Sequence, residues 1–127
     1  MNTDSTVGNF RVPLEIGNLQ DSRSHHLEAL VDTGATYTWI PGESLEGLGI
    51  QAQGTRPFVL ADGREVSYRV GWVRVRIGDI TQPTIVVFGD AESEPLLGVV
   101  TLEEFGLGVD PVNRRLVPVP GLLKAAS

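Results

Sequence analysis

The stretch Ala29-Leu30-Val31-Asp32-Thr33-Gly34-Ala35 holds the residues best placed to do chemistry. An apolar run ends in a carboxylate, followed by a hydroxyl and a glycine. Glycine permits a tight turn and the close approach of another backbone. The Thr33 hydroxyl can hold such a turn by hydrogen bonding. A carboxylate at the end of a buried strand is costly unless it is paired, hydrogen-bonded or functional. A functional one would do proton-transfer chemistry there. Alone, Asp32-Thr33-Gly34 reads more readily as an Asx-type structural turn, so its surroundings must decide.

Other constellations are weaker. His25 and His26 are adjacent, so on a strand they face opposite sides, and no Cys supports a metal reading. Asp90, Glu92 and Glu94 lack the spacing of a calcium loop and read as a solvated acidic loop. Trp72, Arg74 and Arg76 form a small basic–aromatic strand face, whose charges are expected to pair with Asp and Glu. The chain has no phosphate-cradling loop, no serine elbow and no two-His–Glu helix. No metal site is assigned.

The elements that must position Asp32 are mostly strands. Val12, Leu14 and Ile16 alternate with Arg11, Pro13 and Glu15, the period of a half-buried strand, and Pro13 suggests an edge. Leu27 to Val31 reads as the returning strand and runs directly into Asp32. Thr36 to Ile40 is β-branched and aromatic, and Pro41-Gly42 stops it. Glu43 to Leu48 is expected to form a single helical turn. Pro57–Leu60 and Glu65–Val70 flank Asp62-Gly63, a strong hairpin signal. Val73, Val75 and Ile77 alternate, and Thr84–Phe88 is a continuous apolar strand. Thr101-Leu102-Glu103-Glu104 fits a capping box with Thr101 as N-cap, and Gly106 would end that helix. Leu107–Asp110 and Leu116–Val119 read as short strands. The pattern predicts an all-β fold: a small closed β-barrel with one short C-terminal helix.

Length and charge set the bounds. The 127 residues point to one domain, 1–127, with loose tails over about 1–8 and 121–127. At 41% apolar the chain can bury a core. Its net charge of −6 argues against nucleic acid or an anionic membrane as partner. With no Cys, thiol catalysis and disulfide scaffolds are excluded. Met1 to Phe10 lacks a basic start and an apolar stretch, so a cytoplasmic location is expected.

In this setting the Asp32 segment resembles the active-site turn of aspartic proteases, specifically the retropepsin-like branch, with its hydrophobic-hydrophobic-Asp-Thr-Gly-Ala motif. Ala61-Asp62-Gly63 stands where that family has its mobile flap. Leu96-Leu97-Gly98 then precedes a short helix, in the family's order. The resemblance covers roughly residues 10–119. A carboxylate–arginine pair of the retroviral members is absent, since Tyr37 and Val99 stand in those places. This favours a cellular, bacterial-type member. Thr38-Trp39-Ile40-Pro41 is similar to the segment after the motif in the pepsin branch.

The resemblance implies an aspartic endopeptidase with Asp32, Thr33 and Gly34 as catalytic residues. One Asp-Thr-Gly supplies one carboxylate and the reaction needs two, so a homodimer is implied. No cofactor is required. The substrate would be a peptide lying extended between flap and motif. Ala35, Tyr37, Trp39, Ala61, Asp62, Gly63 and Leu96 are the candidate substrate-binding residues. Ala35 replaces the serine of pepsin-like members and cannot donate a hydrogen bond, so activity is expected nearer mild acid or neutral pH. A catalytically silent peptide-binding or assembly module of the same fold is the alternative. A processing enzyme that cuts mainly its own precursor is another.

Overall fold

The computed structural model describes residues 9–120, and the tails expected at 1–8 and 121–127 lie outside the described residues. Strand β1 (Arg11–Gly17) and strand β2 (Ser24–Val31) pair antiparallel, with Leu14 opposite Leu27. β2 alternates as expected at its far end, burying Ala29 and Val31 while Glu28 stays exposed. Strand β3 (Thr38–Pro41) follows the Asp32 loop and leads into helix α1 (Gly42–Gly47). Helix α1 occupies the place of the single expected turn. Its anchor is Leu45, which is fully buried in the main core.

Strands β4 (Gly54–Val59) and β5 (Glu65–Ile77) form the hairpin signalled by Asp62-Gly63. β5 is one continuous strand of 13 residues rather than two runs. It stays unbroken because strand β6 (Ile80–Gly89) pairs with it residue for residue, from Ile77 opposite Ile80 to Val70 opposite Val87. Gly78, at a φ of 62°, makes the connecting turn. Strand β7 (Leu96–Leu97) leads through Gly98 into helix α2 (Val99–Glu104). Strands β8 (Leu107–Asp110) and β9 (Arg115–Pro118) form a separate two-stranded sheet.

The large sheet has the order β1-β2-β7-β3-β6-β5-β4, and β1 also pairs with β5 through Glu15–Gly17. That extra pairing closes the strands into a ring and leaves β4 projecting from it. Closure protects edges that would otherwise invite aggregation. Leu14, Ile16, Ile40, Val73, Val75, Val86 and Leu97 fill the ring's interior and are almost wholly buried. A smaller cluster of Val70, Ile85 and Val87 lies on the other side, covered by Tyr37, Trp39, Phe58 and Tyr68. No described helix is long and apolar enough to cross a membrane.

The N-terminus of α2 differs from the expected capping box. The helix begins three residues earlier, with Gly98 rather than Thr101 at the N-cap and no side-chain cap. Thr101 is instead inside the helix and fully buried. The shift occurs because tertiary partners, rather than a local hydroxyl, accept hydrogen bonds from the first helical amides. Gly106, at a φ of 66°, does end the helical segment.

Leu97 is the fully buried residue of a two-residue strand that joins β2 to β3. Leu97→Ala is expected to cost about 2–5 kcal/mol, the range for deleting a packed leucine. Urea unfolding followed by tryptophan fluorescence measures it as a lower midpoint with an unchanged slope.

Candidate active site

Asp32 leaves β2 beside β7, and its amide donates to the Leu97 carbonyl at 3.0 Å. Its Oδ1 accepts the Gly34 amide at 2.9 Å, and its carbonyl accepts the Ala35 amide at 3.1 Å. These bonds make an Asx turn, the local structure read as the bland alternative. The carboxylate is nonetheless half-buried, next to the exposed Thr33 and Gly34. A Cβ on Gly34 would lie 3.2 Å from Asp32 Oδ1, so glycine keeps that oxygen close to the backbone.

What holds the loop in place comes from far along the chain. β7 lies between β2 and β3, so the loop joining those strands must straddle it. The segment after β7 then runs tight against that loop. The Val99 amide donates to the Ala35 carbonyl and the Val100 amide to the Thr36 carbonyl, each at 2.9 Å. The first amides of any helix lack partners within it. Here the loop carbonyls accept them. Any Cβ on Gly98 would collide with the Tyr37 carbonyl, so no residue larger than glycine fits the crossing.

A chain of buried hydroxyls fixes the same crossing from the other side. The Gly98 amide donates to Thr38 Oγ1 at 3.0 Å. Thr38 and Thr101 lie 2.6 Å apart, Thr84 and Thr101 lie 3.0 Å apart, and Thr84 donates to Glu104 Oε1 at 2.6 Å. A carboxylate only accepts, so the Thr84 proton points to Glu104. Thr101 must then donate to Thr84, and Thr38 to Thr101. Every hydroxyl in the row donates once, and the direction is set by Glu104. Sequence reading assigned Thr101 and Glu104 to a helix cap and missed this row, because its members come from β3, β6 and α2.

Opposite the loop stands the β4–β5 hairpin. Gly34, Ala35, Thr36, Tyr37 and Trp39 on one side, and Pro57, Phe58, Val59 and Leu60 on the other, line a cleft of about 460 Å³. Phe58 sits edge-on to Tyr37 at 6.0 Å and tilted over Trp39 at 5.2 Å. Trp39 in turn meets Tyr68 at 4.8 Å. Burial, then the nearby Asp90 carboxylate, pushes the Tyr68 phenol above its ordinary range.

Of the candidate substrate-binding residues, the structure brings Ala35, Tyr37 and Trp39 to the cleft. Leu96 pairs with Trp39 across β7 and β3 but does not line it. Ala61, Asp62 and Gly63 lie at the exposed hairpin tip. The Asp62 carboxylate accepts from the Arg64 amide at 3.0 Å and from Arg64 Nε at 2.7 Å, which holds it below the ordinary carboxylate range. Gly63 takes the φ of 89° that the turn needs. The cleft residues missed by sequence reading are Thr36, Pro57, Phe58, Val59 and Leu60. The β-run at Pro57–Leu60 was visible, but nothing local shows which of its faces meets Tyr37. His25 and His26 are exposed, Arg76 pairs with Glu15 at 2.7 Å, and Arg74 binds the Asp21 and Arg23 carbonyls instead of an acid.

Residues 12–101 match the aspartyl protease family, a span that contains the loop, the hairpin, β7 and the start of α2. The chain belongs to the aspartyl protease family. Solved structures similar to this family member include the simian foamy virus (mac) protease, at 22% identity and a TM-score of 0.51, covering 72% of this chain and 91% of that one. The EIAV protease, complexed with the inhibitor HBY-793, is similar at 18% identity and a TM-score of 0.56, covering 77% and 88%. A retropepsin-like aspartic protease from Rickettsia conorii aligns at 24% identity and a TM-score of 0.48, covering 86% and 88%. At these identities the likeness to the two viral proteases is one of fold, and the fold is retropepsin-like. A comparison with curated protein sequences found no match.

In this family member the hydroxyl row should matter to the fold of the loop. Thr101→Val leaves the Thr38 donor without its acceptor and is expected to cost about 1–3 kcal/mol. Thr101→Ser keeps the hydroxyl and should cost less. Chemical denaturation of the two variants side by side checks the order. Equal losses would mean that packing, not hydrogen bonding, holds the site.

Proposed function

We propose that the chain is an aspartic endopeptidase that completes its active site as a homodimer. The observation that carries this reading is Asp32 itself. Its carboxylate sits on a turn braced by helical amides, at the edge of a cleft closed on its far side by a hairpin. Among the described residues there is no second Asp-Thr-Gly to supply the other carboxylate. A two-fold axis beside Asp32 would bring in the partner's copy.

Two carboxylates held that close share one proton, as in aspartic proteases generally, because both cannot ionise together. The ionised Asp32 takes a proton from a water held between them. The protonated one donates a hydrogen bond to the scissile carbonyl. As the water oxygen attacks the carbonyl carbon, the proton of that second carboxyl passes to the carbonyl oxygen, and a gem-diol forms. A proton passes to the amide nitrogen, the C–N bond breaks, and a carboxylic acid and an amine leave.

The cleft suits an extended peptide. Its walls are apolar and aromatic, and Val59 on the hairpin is 72% exposed. Gly34 and the hairpin tip offer backbone groups for strand-like pairing with substrate. Apolar or aromatic residues flanking the cleaved bond are therefore favoured.

Asp32→Asn removes the proton acceptor from both chains of the dimer. Cleavage of peptides with apolar residues at the bond is expected to fall by at least about 10²–10⁴-fold. If wild type and variant leave peptides and precursor equally uncut, the enzyme reading fails and a silent module remains. With Ala35 in place of a donor, the rate should peak in mild acid or near neutrality, and a sharp maximum near pH 2 would contradict that. Sedimentation velocity should show a dimer at the concentrations where cleavage is seen. A strictly monomeric active species would rule out the shared dyad.

A further inference from the structure

The cleft carries one charge that nothing within the described residues balances. Arg56 lies on β4, two residues before Phe58, so both side chains leave the strand on the same face. Its guanidinium carbon stands 5.3 Å from the centroid of the Tyr37 ring, and its Nη1 donates to the Tyr37 hydroxyl. Tyr37 and Phe58 both line the cleft, so Arg56 sits at its rim. It is exposed.

Every other described arginine is occupied differently. Arg11, Arg23, Arg64, Arg69, Arg76 and Arg115 each pair with a carboxylate. Arg74 and Arg114 bind backbone carbonyls. Arg56 has neither kind of partner among the described residues, in a chain with sixteen acidic side chains. A guanidinium presents five N–H groups in a planar fork that matches a carboxylate. The Tyr37 hydroxyl takes one of them and the ring supports the positive charge from its face. The rest of the fork is held in place and unspent.

We infer that Arg56 is a specificity-determining residue that selects peptides with an acidic side chain beside the apolar residue entering the cleft. The inference rests on the peptide-cleaving reading and adds a substrate class to it. Residues two apart in an extended strand stand on one face about 6.5 Å from each other. Arg56 and Phe58 have that spacing on β4. A peptide lying along the hairpin with an apolar side chain against Phe58 therefore brings the side chain two positions away opposite Arg56. Glu or Asp there closes a charge-assisted, two-pronged hydrogen bond. Lys there meets a like charge.

The test uses the purified full chain and a set of decapeptides with Phe and Leu flanking the central bond. Glu, Gln or Lys is placed at each outer position in turn. At one position on each side of the cleaved bond, because a two-fold dimer presents an Arg56 from each chain, kcat/KM should favour Glu over Lys by about tenfold or more, the effect of a hydrogen-bonded charge pair. Arg56→Gln should flatten that preference, and Arg56→Glu should reverse it toward Lys. Preferences at other positions should stay unchanged, which a general loss of structure would not produce. Cleavage with no acidic preference in the wild type overturns the inference and leaves the protease reading standing. So does an acidic preference that survives in Arg56→Gln. If no peptide is cut at all, the protease reading fails by itself. Fluorescence anisotropy with the same labelled peptides on Asp32→Asn then decides on Arg56: tighter binding of Glu than Lys peptides, lost in Asp32→Asn with Arg56→Gln, upholds it, and equal binding overturns it.

Discussion

The site depends on one crossing of the backbone over itself. The Asp32 loop must pass over β7, and the segment after β7 must pass close against the loop. Two amides from the start of α2 meet two loop carbonyls at 2.9 Å, and only the missing side chain of Gly98 makes that approach possible. Both halves of the contact solve a problem for each other. A helix start needs acceptors, and a loop near the core needs donors. The result is a loop whose carbonyls are committed, so the Asp32 carboxylate is held without being buried.

The rest of the fold supports that crossing. The ring of strands places β7 between β2 and β3, and Leu97 locks it into the core. The threonine row ties β3, β6 and α2 together beneath the loop. Such a row is expensive if one member lacks a partner, because buried hydroxyls are far from water. Here Glu104 at its end accepts the last proton, so the row is complete. The hairpin has a different character. It projects from the ring, joined by β5 and by aromatic contacts through Phe58. Its tip is stabilised within itself by Asp62, Gly63 and Arg64. One wall of the cleft belongs to this projecting element.

Particular residues show where sequence reading succeeds and where it stops. Alternation in β1 and β2, the Asp62-Gly63 turn and the Gly106 stop are local, and each was legible from neighbours along the chain. The capping box at Thr101 was a local rule that lost to tertiary contacts. Its pattern of Thr followed by Glu was real, but the two side chains serve β6 and β3 rather than the helix end. In the sequence, Glu65–Val70 and the alternation of Val73, Val75 and Ile77 read as separate runs, and only pairing with β6 shows that one strand spans them. Arg56 carries no signal in the sequence, since the absence of a carboxylate beside it is a fact about space.

By itself the sequence determined the class of chemistry and the order of the parts. A carboxylate, hydroxyl and glycine after an apolar run, then a glycine-tipped hairpin, then an apolar pair and glycine before a helix, are all short-range features. A count of one such motif in 127 residues also set the question of the second carboxylate. Tertiary structure alone decided which carbonyls receive the first amides of α2, which hydroxyls form a row, which face of β4 lines the cleft and which arginine stands against Tyr37 at its rim. Those outcomes depend on distances between residues about twenty to more than sixty positions apart. Local patterns carry no information about such distances; the closed ring of strands sets them.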